Sequence, residues 1–267
     1  MYREALEAIA SAAAGKARFC QSRMAAFLLH SAMAGAYVGL GIVLIFLVGA
    51  PLSAAKSPVT SLVMGATFGI ALSLVLMAGS DLFTSSTMVM PVGALSRYVS
   101  WGAVVRVLTV TYVGNFLGSI LVAVLAHQSG VFAADPALTF VQAVAAKKMH
   151  LPFWTAFVRG ILCNWLVVLA AWSYYKLKSE SGKLIMIFWC LLAFIASGFE
   201  HSIANMTLLT LANLLPHGAA YGWVDIAYNL VPVTLGNMVS GAMFMGLAYW
   251  SISPISKDHA AEKRMAS

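Results

Sequence analysis

Apolar residues run along almost the whole chain, in segments long enough to cross a membrane, with short polar stretches between them. A membrane-spanning helix needs roughly 20 apolar residues, and six segments reach that length. These segments cover approximately residues 27–50, 61–92, 103–126, 154–175, 184–215 and 227–252. The pattern predicts an all-α membrane protein with six transmembrane helices.

The second and fifth segments are each about thirty residues long, which is too long for one straight span. Polar residues interrupt each of them near its middle, in GSDLFTSST beginning at Gly79 and in GFEHSIAN beginning at Gly198. Glycine followed by an acid and small polar residues favours a break in a helix. We therefore expect the second and fifth helices to be broken, with Asp81 and Glu200 at the breaks.

The two breaks belong to a repeat in the sequence. Gly79 aligns with Gly198, and Asp81 aligns with Glu200, at an offset of 119 residues. The stretches GNFLGS and GNMVSG match at an offset of 122, and MAGAYVG matches VRGILCN through a glycine at an offset of 125. Each copy holds three spans, so the second copy enters the membrane in the opposite orientation. Such inverted repeats are typical of channels and transporters.

The first segment is predicted to be a different kind of helix. Its charges are spread along it and it has no compact apolar region, so it is not a cleavable signal peptide. Tyr2 to Phe19 is predicted to be an amphipathic helix on the membrane surface, with Leu6, Ile9 and Ala13 on one face. The whole chain is expected to form one transmembrane domain. Its parts are a cytoplasmic surface helix at 1–24, a first repeat at 25–126, an outer loop at 127–153, a second repeat at 154–252 and a cytoplasmic tail at 253–267.

Composition agrees with a membrane protein, because 61% of the residues are hydrophobic and only 9% are charged. The net charge of +7 comes from basic residues at loops and chain ends, which fits membrane orientation better than nucleic-acid binding. Twelve of the basic residues are predicted to lie on one side of the membrane: Arg3, Lys16, Arg18, Arg23, Arg97, Arg106, Lys176, Lys178, Lys183, Lys257, Lys263 and Arg264. The other side holds Lys56, Lys147, Lys148 and Arg159. The positive-inside rule therefore predicts that both termini are cytoplasmic.

The polar residues inside the spans are the candidate functional residues. A charge at the bilayer centre costs at least about 2.5–3.5 kcal/mol, so Asp81 and Glu200 must face the protein interior. Each carboxylate either accepts backbone N–H groups freed at its break or lines a pathway, and we favour the first interpretation. His201 is different, because an imidazole can exchange a proton near neutral pH. The repeat places Leu82 at the matching position, and this asymmetry favours a functional histidine over a core histidine.

Other polar residues in and near the spans allow two interpretations each. Asn164 and Asn237 lie in the middle of apolar segments, where they either join helices by hydrogen bonds or line a pathway. Thr84 and Ser85 follow the first break and either contact a substrate or cap the next half-helix.

A group of three residues that precedes the fourth span, on the predicted outer side of the membrane, also allows two interpretations. Lys147, Lys148 and His150 are either solvated or attract an anion. The sequence has no glycine-rich phosphate loop, no Asn-Pro-Ala pair, no metal-ligand spacing and no cofactor motif. Cys20, Cys163 and Cys190 are therefore interpreted as packing residues.

Several long motifs, in order from about Ala25 to Trp250, resemble the formate/nitrite transporter family. They are AGAYVGLG, GSDLFTSS, GILCNWLV, ASGFEHSIANM and TLGNMVSGAMFMGLAYW. The stretches CNWLV and CLLAFIASGFEHS are most similar to the nitrite-channel branch. The resemblance implies an aquaporin-like protomer in a homo-pentamer of the bacterial inner membrane, with an anion pathway through each protomer and no cofactor. It also implies a place in nitrate assimilation.

The resemblance also implies roles for individual residues. The residues expected to line the pathway are the central histidine His201, its neighbouring acid Glu200, the loop threonine Thr84, the asparagines Asn164 and Asn237, and the vestibule lysine Lys148. The residues expected to form apolar constrictions are Phe68, Leu72, Leu82 and Phe194. Asp81 departs from the family pattern, since relatives commonly have glutamate at the first break.

A transport mechanism follows from these residues. Moving a bare anion into an apolar passage costs on the order of tens of kcal/mol in the idealised limit, so we expect nitrite to cross as the neutral acid. His201 is suited to supply the proton. Formate or hydrosulfide are alternative substrates, and an ungated anion channel is an alternative mechanism. A membrane enzyme using Glu200 and His201, or a water or glycerol facilitator, are alternatives of other classes.

Overall fold

The computed structural model describes residues 2–216 and 221–256, and these residues form eleven α-helices and one π-helical segment. The first five helices are α1 (Arg3–Ser22), α2 (Met24–Ala54), α3 (Thr60–Met77), α4 (Phe83–Leu95) and α5 (Trp101–Gln128). The next five are α6 (Ala137–Met149), α7 (Phe153–Lys176), α8 (Glu180–Ala196), α9 (Ser202–Leu214) and α10 (Trp223–Val239). The π-helical segment Ser240–Leu247 continues α10 into α11 (Ala248–Ile252). Lys257, Lys263 and Arg264 of the predicted cytoplasmic tail lie outside the described residues.

Five helical stretches in the described part of the chain are long and apolar enough to cross a membrane. They are α2, α3, α5, α7 and the continuous stretch from α10 to α11, with a mean hydropathy between 1.5 and 2.2. Helices α4 and α9 are apolar but have only 13 residues, and α8 has 17. The protein is thus an all-helical multi-pass membrane protein, and the count of six spans in inverted repeats stays a prediction.

Both long segments are broken where the sequence predicted a break. Helix α3 ends at Met77 and α4 begins at Phe83, while α8 ends at Ala196 and α9 begins at Ser202. The glycines Gly79 and Gly198 have φ angles of +75° and +69°. Since side chains rarely tolerate this left-handed backbone, glycine at these two positions explains where each helix ends.

Glycines at the helix contacts let two pairs of long helices approach closely. Helix α2 packs along α5, and α7 packs along α10. A Cβ atom added to Gly118 would lie 1.8 Å from the Ala32 carbonyl oxygen, and one added to Gly236 would lie 2.2 Å from the Phe157 carbonyl oxygen. Small residues at such contacts are the usual way for membrane helices to pack.

Helix α1 packs on protein along its apolar face. The predicted face of Leu6, Ile9 and Ala13 is fully buried, and α1 contacts α4. A Cβ added to Gly93 of α4 would lie 2.4 Å from the Ala13 Cβ. The three residues thus share one face as expected, this face packs on the half-helix α4, and the position of α1 at the membrane surface stays a prediction.

The predicted outer loop at 127–153 contains helix α6, which the sequence analysis missed. Val141, Ala145 and Met149 are buried on one side of this helix, which contacts α2, α9 and α10. The burial of this short apolar stripe fixes the end of α6 beside the second break, and it carries Lys148 there.

Candidate functional site

His201 lies at the second break and caps helix α9. The backbone N–H of Ala204 donates to its Nδ1 atom at 3.1 Å. Its Nε2 atom is 3.1 Å from the Thr84 hydroxyl oxygen. Because Nδ1 accepts a hydrogen bond, a neutral ring carries its proton on Nε2 and donates it to Thr84. The cap thus selects one tautomer, and the contact with Thr84 links the start of α4 to the start of α9.

An apolar throat adjoins His201 and contains all four residues predicted to form constrictions. Phe68, Leu72, Leu82 and Phe194 line a void of about 10 Å³ together with the imidazole. The Phe194 ring stacks on the His201 ring, with centroids 5.8 Å apart, and the Phe68 ring meets Phe194 edge-on at 5.6 Å. A void of this size holds about one water molecule at most, so an ion crossing here would lose nearly all its hydration.

A much larger cavity, of about 530 Å³, also borders His201. We call it the vestibule. Its wall includes Phe194 and His201, which also line the throat. The cationic side chains lining it are Lys56, Lys147, Lys148 and Arg159. Glu200 is the one carboxylate among its described lining residues, so positive charge is in excess. The four basic residues on the minority side of the predicted topology therefore share one cavity.

Lys148 and Glu200 form an ion pair in the vestibule wall. The Lys148 Nζ atom lies 2.7 Å from Glu200 Oε1, and Asn205 Nδ2 donates to Glu200 Oε2 at 2.7 Å. Asn229 completes the network by accepting from Asn205 at 2.9 Å and donating to the Lys148 carbonyl at 2.9 Å. Asn205 and Asn229 were not predicted, although both are polar residues in apolar stretches and could have been identified by that signal.

The first break has an ion pair of the same kind. Asp81 is fully buried, and its Oδ1 atom accepts from Lys16 Nζ at 2.8 Å and from the Ser86 hydroxyl at 2.6 Å. Lys16 comes from α1, outside the spans. Burial lowers its pKa, but the Asp81 charge, the nearby Tyr175 and the hydrogen bond to Asp81 together more than offset this, so the pKa of Lys16 is raised above its usual value. Lys16, expected only as an orientation signal, thus attaches α1 to the break.

Asparagine side chains cap the half-helices at both breaks. Asn237 Oδ1 accepts from the Ser202 N–H at 3.0 Å, and its Nδ2 donates to the carbonyls of Gly160 at 2.8 Å and Glu200 at 3.2 Å. Asn115 Oδ1 accepts from the Phe83 N–H at 2.8 Å in the same way. Its Nδ2 donates to the carbonyls of Ser31 at 2.7 Å and Asp81 at 2.9 Å.

The expectation that Asp81 and Glu200 accept the freed backbone N–H groups was therefore wrong. Both carboxylates pair instead with a lysine and with a polar side chain of their own half-helix. An amide suits the cap better, because its oxygen accepts the N–H while its nitrogen satisfies the carbonyls exposed nearby. The sequence repeat already aligned Asn115 with Asn237, and this signal could have identified Asn115 as the second cap.

Asn164 joins the central elements from the middle of α7. Its Nδ2 atom lies 3.3 Å from the Thr84 carbonyl, 3.0 Å from the Thr87 hydroxyl and 2.6 Å from the Asn237 carbonyl. Thr87 in turn donates to the Thr84 carbonyl at 2.6 Å. Asn164 thereby holds the start of α4 against α10, and the Thr84 hydroxyl remains directed at His201. The Oδ1 atom of Asn164 has no hydrogen-bond partner among the described residues.

The remaining predicted candidates lie apart from these contacts. The Ser85 hydroxyl is buried and has no partner among the described residues. The His150 ring is exposed and bonds to the Ala146 carbonyl of its own helix at 2.7 Å. All three cysteines are buried and free. No cluster of three or more His, Cys, Asp or Glu suited to a metal ion occurs in residues 2–216 and 221–256.

Comparisons with known proteins agree with this architecture. The family model described as Formate/nitrite transporter matches residues 3–251. The Nitrite transporter NirC of Escherichia coli (strain K12) is 46% identical over 263 residues, covering 98% of this chain and 97% of the relative. The Formate channel FocA of Haemophilus influenzae is 33% identical over 234 residues, covering 80% and 82%.

Two solved structures are also similar. One, described as an FNT family ion channel, is 46% identical with a TM-score of 0.89, covering 94% of this chain and 100% of that one. A pentameric formate channel with formate bound is 33% identical with a TM-score of 0.78, covering 85% and 96%.

The relatives with this architecture of broken membrane helices are transporters and channels. This chain belongs to the formate/nitrite transporter family.

Proposed function

We propose that this protein is a channel for a small monovalent weak-acid anion, with nitrite as its substrate. The observation that carries the proposal is that the vestibule and the throat share Phe194 and His201. An anion gathered among the basic side chains of the vestibule would meet the throat directly. Nitrite is preferred because a nitrite transporter is 46% identical to this chain, whereas the formate channel of Haemophilus influenzae is 33% identical.

The anion crosses the throat as its neutral acid. Lys148 and its basic neighbours raise the local anion concentration, but the throat lacks room for the water that hydrates an ion. Desolvation disfavours the charged form of a weak acid and raises its pKa. Uptake of a proton removes the charge and most of the desolvation cost. The acid then releases its proton where water is available again.

His201 supplies the proton in this proposal, and the geometry sets a condition on that step. A neutral ring with its one proton on Nε2 would become an imidazolate on donating it, which is not accessible near neutral pH. The donor must be the imidazolium, with a second proton on Nδ1. In the described arrangement Nδ1 accepts the Ala204 N–H. We therefore infer two states, a capped neutral ring that holds the anion through Thr84 and an uncapped imidazolium that protonates it.

The architecture proposed around this pathway is an aquaporin-like protomer with six spans in two inverted three-helix repeats. The matching asparagine caps at the two breaks support the repeat. Helices α3 and α4 form the second span, and α8 and α9 form the fifth. Each protomer of a homo-pentamer has its own pathway, as the pentameric relative suggests. Both termini lie in the cytoplasm and the vestibule opens outside a bacterial inner membrane.

Formate is the alternative substrate that a specific observation favours, because a structure with formate bound is 33% identical to this chain. Hydrosulfide shares the chemistry of a small weak-acid anion, and the throat residues do not separate it from the other two. An ungated anion channel, in which His201 stays neutral, is the alternative mechanism.

The test is flux of nitrite, formate and hydrosulfide through the purified protein in liposomes, measured from pH 5.5 to 8. Nitrite uptake is expected to rise as the pH falls, because protonation of the acid and of His201 both become more favourable. His201→Phe should remove this pH dependence while the protein still assembles. His150→Phe is the matched control, since His150 is exposed just after the end of α6 and the variant should behave as the wild type.

Undiminished, pH-dependent nitrite uptake by the His201→Phe variant would rule out the protonation step. Absence of uptake of all three anions by the wild type would rule out the channel itself. Water or glycerol flux that is independent of His201 would indicate a facilitator instead.

A further inference from the structure

Arg159 is a cation within a predicted span, and none of the described carboxylates pairs with it. It is the seventh residue of α7, about 9 Å from the start of the helix at 1.5 Å per residue. Lys148, in the same cavity, pairs with Glu200. Arg159 forms no ion pair with a carboxylate in residues 2–216 and 221–256, and its side chain is only partly buried. An ionisable residue within a span usually serves a binding site or a pathway.

The backbone around Arg159 is fixed to the second break. Its carbonyl accepts from the Glu200 N–H at 3.3 Å. The next carbonyl, of Gly160, accepts from Asn237, the residue that caps α9. The start of the Arg159 side chain is thus held beside Glu200, the residue preceding His201, and Arg159 is one of the residues that line the vestibule.

The guanidinium group offers a kind of recognition that lysine does not. It is planar and donates two parallel hydrogen bonds to an acceptor with two oxygens, whereas an ammonium group acts as a point charge. Nitrite and formate are planar anions with two oxygen atoms. Hydrosulfide has one sulfur atom and accepts no such pair. The three lysines of the vestibule attract all three anions alike, so only the arginine distinguishes them by shape.

We infer that Arg159 binds the anion in the vestibule and selects planar two-oxygen anions before they reach the throat. The inference rests on the proposed function and adds a residue that determines specificity. Arg159 receives the anion as a bidentate partner, and the anion then passes to the Thr84–His201 pair. Charge in the vestibule sets how often anions arrive, and Arg159 sets which of them are retained.

The test compares Arg159→Lys with the wild type in liposomes, with KM and maximal rate measured for nitrite, formate and hydrosulfide at one pH. Arg159→Lys keeps the charge but cannot donate two parallel hydrogen bonds, so KM for nitrite and formate should rise about ten-fold. KM for hydrosulfide should stay within about two-fold of the wild type. Arg159→Gln should raise KM for all three anions, because it removes the charge as well.

Lys147→Gln is the matched control, since it removes one charge from the same cavity and leaves the guanidinium group of Arg159 in place. It should affect all three anions equally, and 0.5 M of an inert salt should abolish the effect. The inference fails if Arg159→Lys transports nitrite like the wild type, or if it loses all three anions to the same degree. A failure of the proposed function differs, because the wild type itself would then transport none of the anions.

Discussion

The two helix breaks have the same framework but different chemistry. At each break a glycine with positive φ ends one half-helix, and an asparagine caps the next. At each, a lysine from an earlier helix outside the predicted spans pairs with the acid, at 2.8 Å in the first break and 2.7 Å in the second. The framework shared by both breaks is therefore structural, since it satisfies the backbone groups and charges that any broken helix exposes.

The differences concern what surrounds each break. The second break carries His201 where the first carries Leu82, and it opens on the vestibule. The first break is attached through Asp81 to α1, whose apolar face covers α4. The comparison shows that the two breaks share their caps and ion pairs, whereas the imidazole ring and the vestibule are found at the second break. Residues of either break should therefore affect stability, and only changes at the second break should affect flux.

The largest effect is expected from separating the two roles of His201. Asparagine can accept the Ala204 N–H as an N-cap but cannot titrate near neutral pH. His201→Asn should therefore assemble like the wild type while nitrite flux falls about 100-fold or more and loses its pH dependence. His201→Leu, which copies the first break, should lose the cap as well and unfold more easily. Flux and thermal unfolding measured on both variants check this, and pH-dependent flux in His201→Asn would refute the division of roles.

The two asparagine caps should prove equivalent in stability. Asn115→Ala and Asn237→Ala each leave one N–H and two carbonyls without their partner. Each should lower the free energy of unfolding by about 1–3 kcal/mol, as measured by denaturation in detergent. Only Asn237→Ala should also reduce flux strongly, because Asn237 holds the backbone on both sides of His201 through Glu200 and Ser202. Equal loss of flux in both variants would contradict a functional difference between the breaks.

The two acids should have different effects on transport. Glu200→Gln frees Lys148 from its counter-charge, so a bound anion replaces the carboxylate. KM for nitrite should fall about three-fold, with slower release and a lower maximal rate. Asp81→Asn should leave KM unchanged and loosen α1, which amide hydrogen exchange measures. A change in KM with Asp81→Asn would place both breaks on the anion pathway.

The docking of α1 should not depend on pH in the physiological range. The pKa of Lys16 is raised in the folded state above its usual value of 10.5. Its stabilising contribution is therefore complete below that usual value and is lost only as the pH rises through the higher folded value. Amide exchange of α1 should show constant protection, after correction for intrinsic rates, from pH 6 to pH 9. A loss of protection within that range would indicate that another group controls the contact.

The smallest effect is expected from the exposed lysines of the vestibule. Lys56→Gln should raise KM for nitrite about two-fold at low salt and have no effect at 0.5 M salt, where the Debye length is only a few ångströms. Lys178→Gln is a control outside the vestibule. An effect that persists at high salt would show direct binding by Lys56 instead of attraction at a distance.

Much of the fold could be predicted because its causes are local. Runs of apolar residues specify helices of spanning length, and Gly79 and Gly198 specify breaks since few other residues adopt a positive φ. His201 was predicted from its place at the second break, whereas the apolar residues of the throat were predicted from the resemblance to the family. Helix α6 was missed because its 13 residues have a weak apolar stripe and no caps that stand out in the sequence.

The partners of the polar residues could not be predicted in the same way. A polar residue in an apolar span signals that a partner exists inside the protein, but many candidates are available. Asp81 pairs with Lys16, 65 residues earlier in the chain, and Glu200 pairs with Lys148, 52 residues earlier. The roles of Asn115 and Asn237 as caps likewise depend on the helices that carry them being packed beside the breaks.

The sequence alone determined that this chain forms membrane helices, where two of them break and which break carries a titratable ring. Each of these properties depends on residue type and local backbone preference. The tertiary structure decided which lysine meets which acid, that amides rather than carboxylates cap the half-helices, and that the vestibule and throat meet at His201. Hydrogen bonds and ion pairs need their atoms within about 3 Å, and only the packing of helices distant in the chain brings them that close.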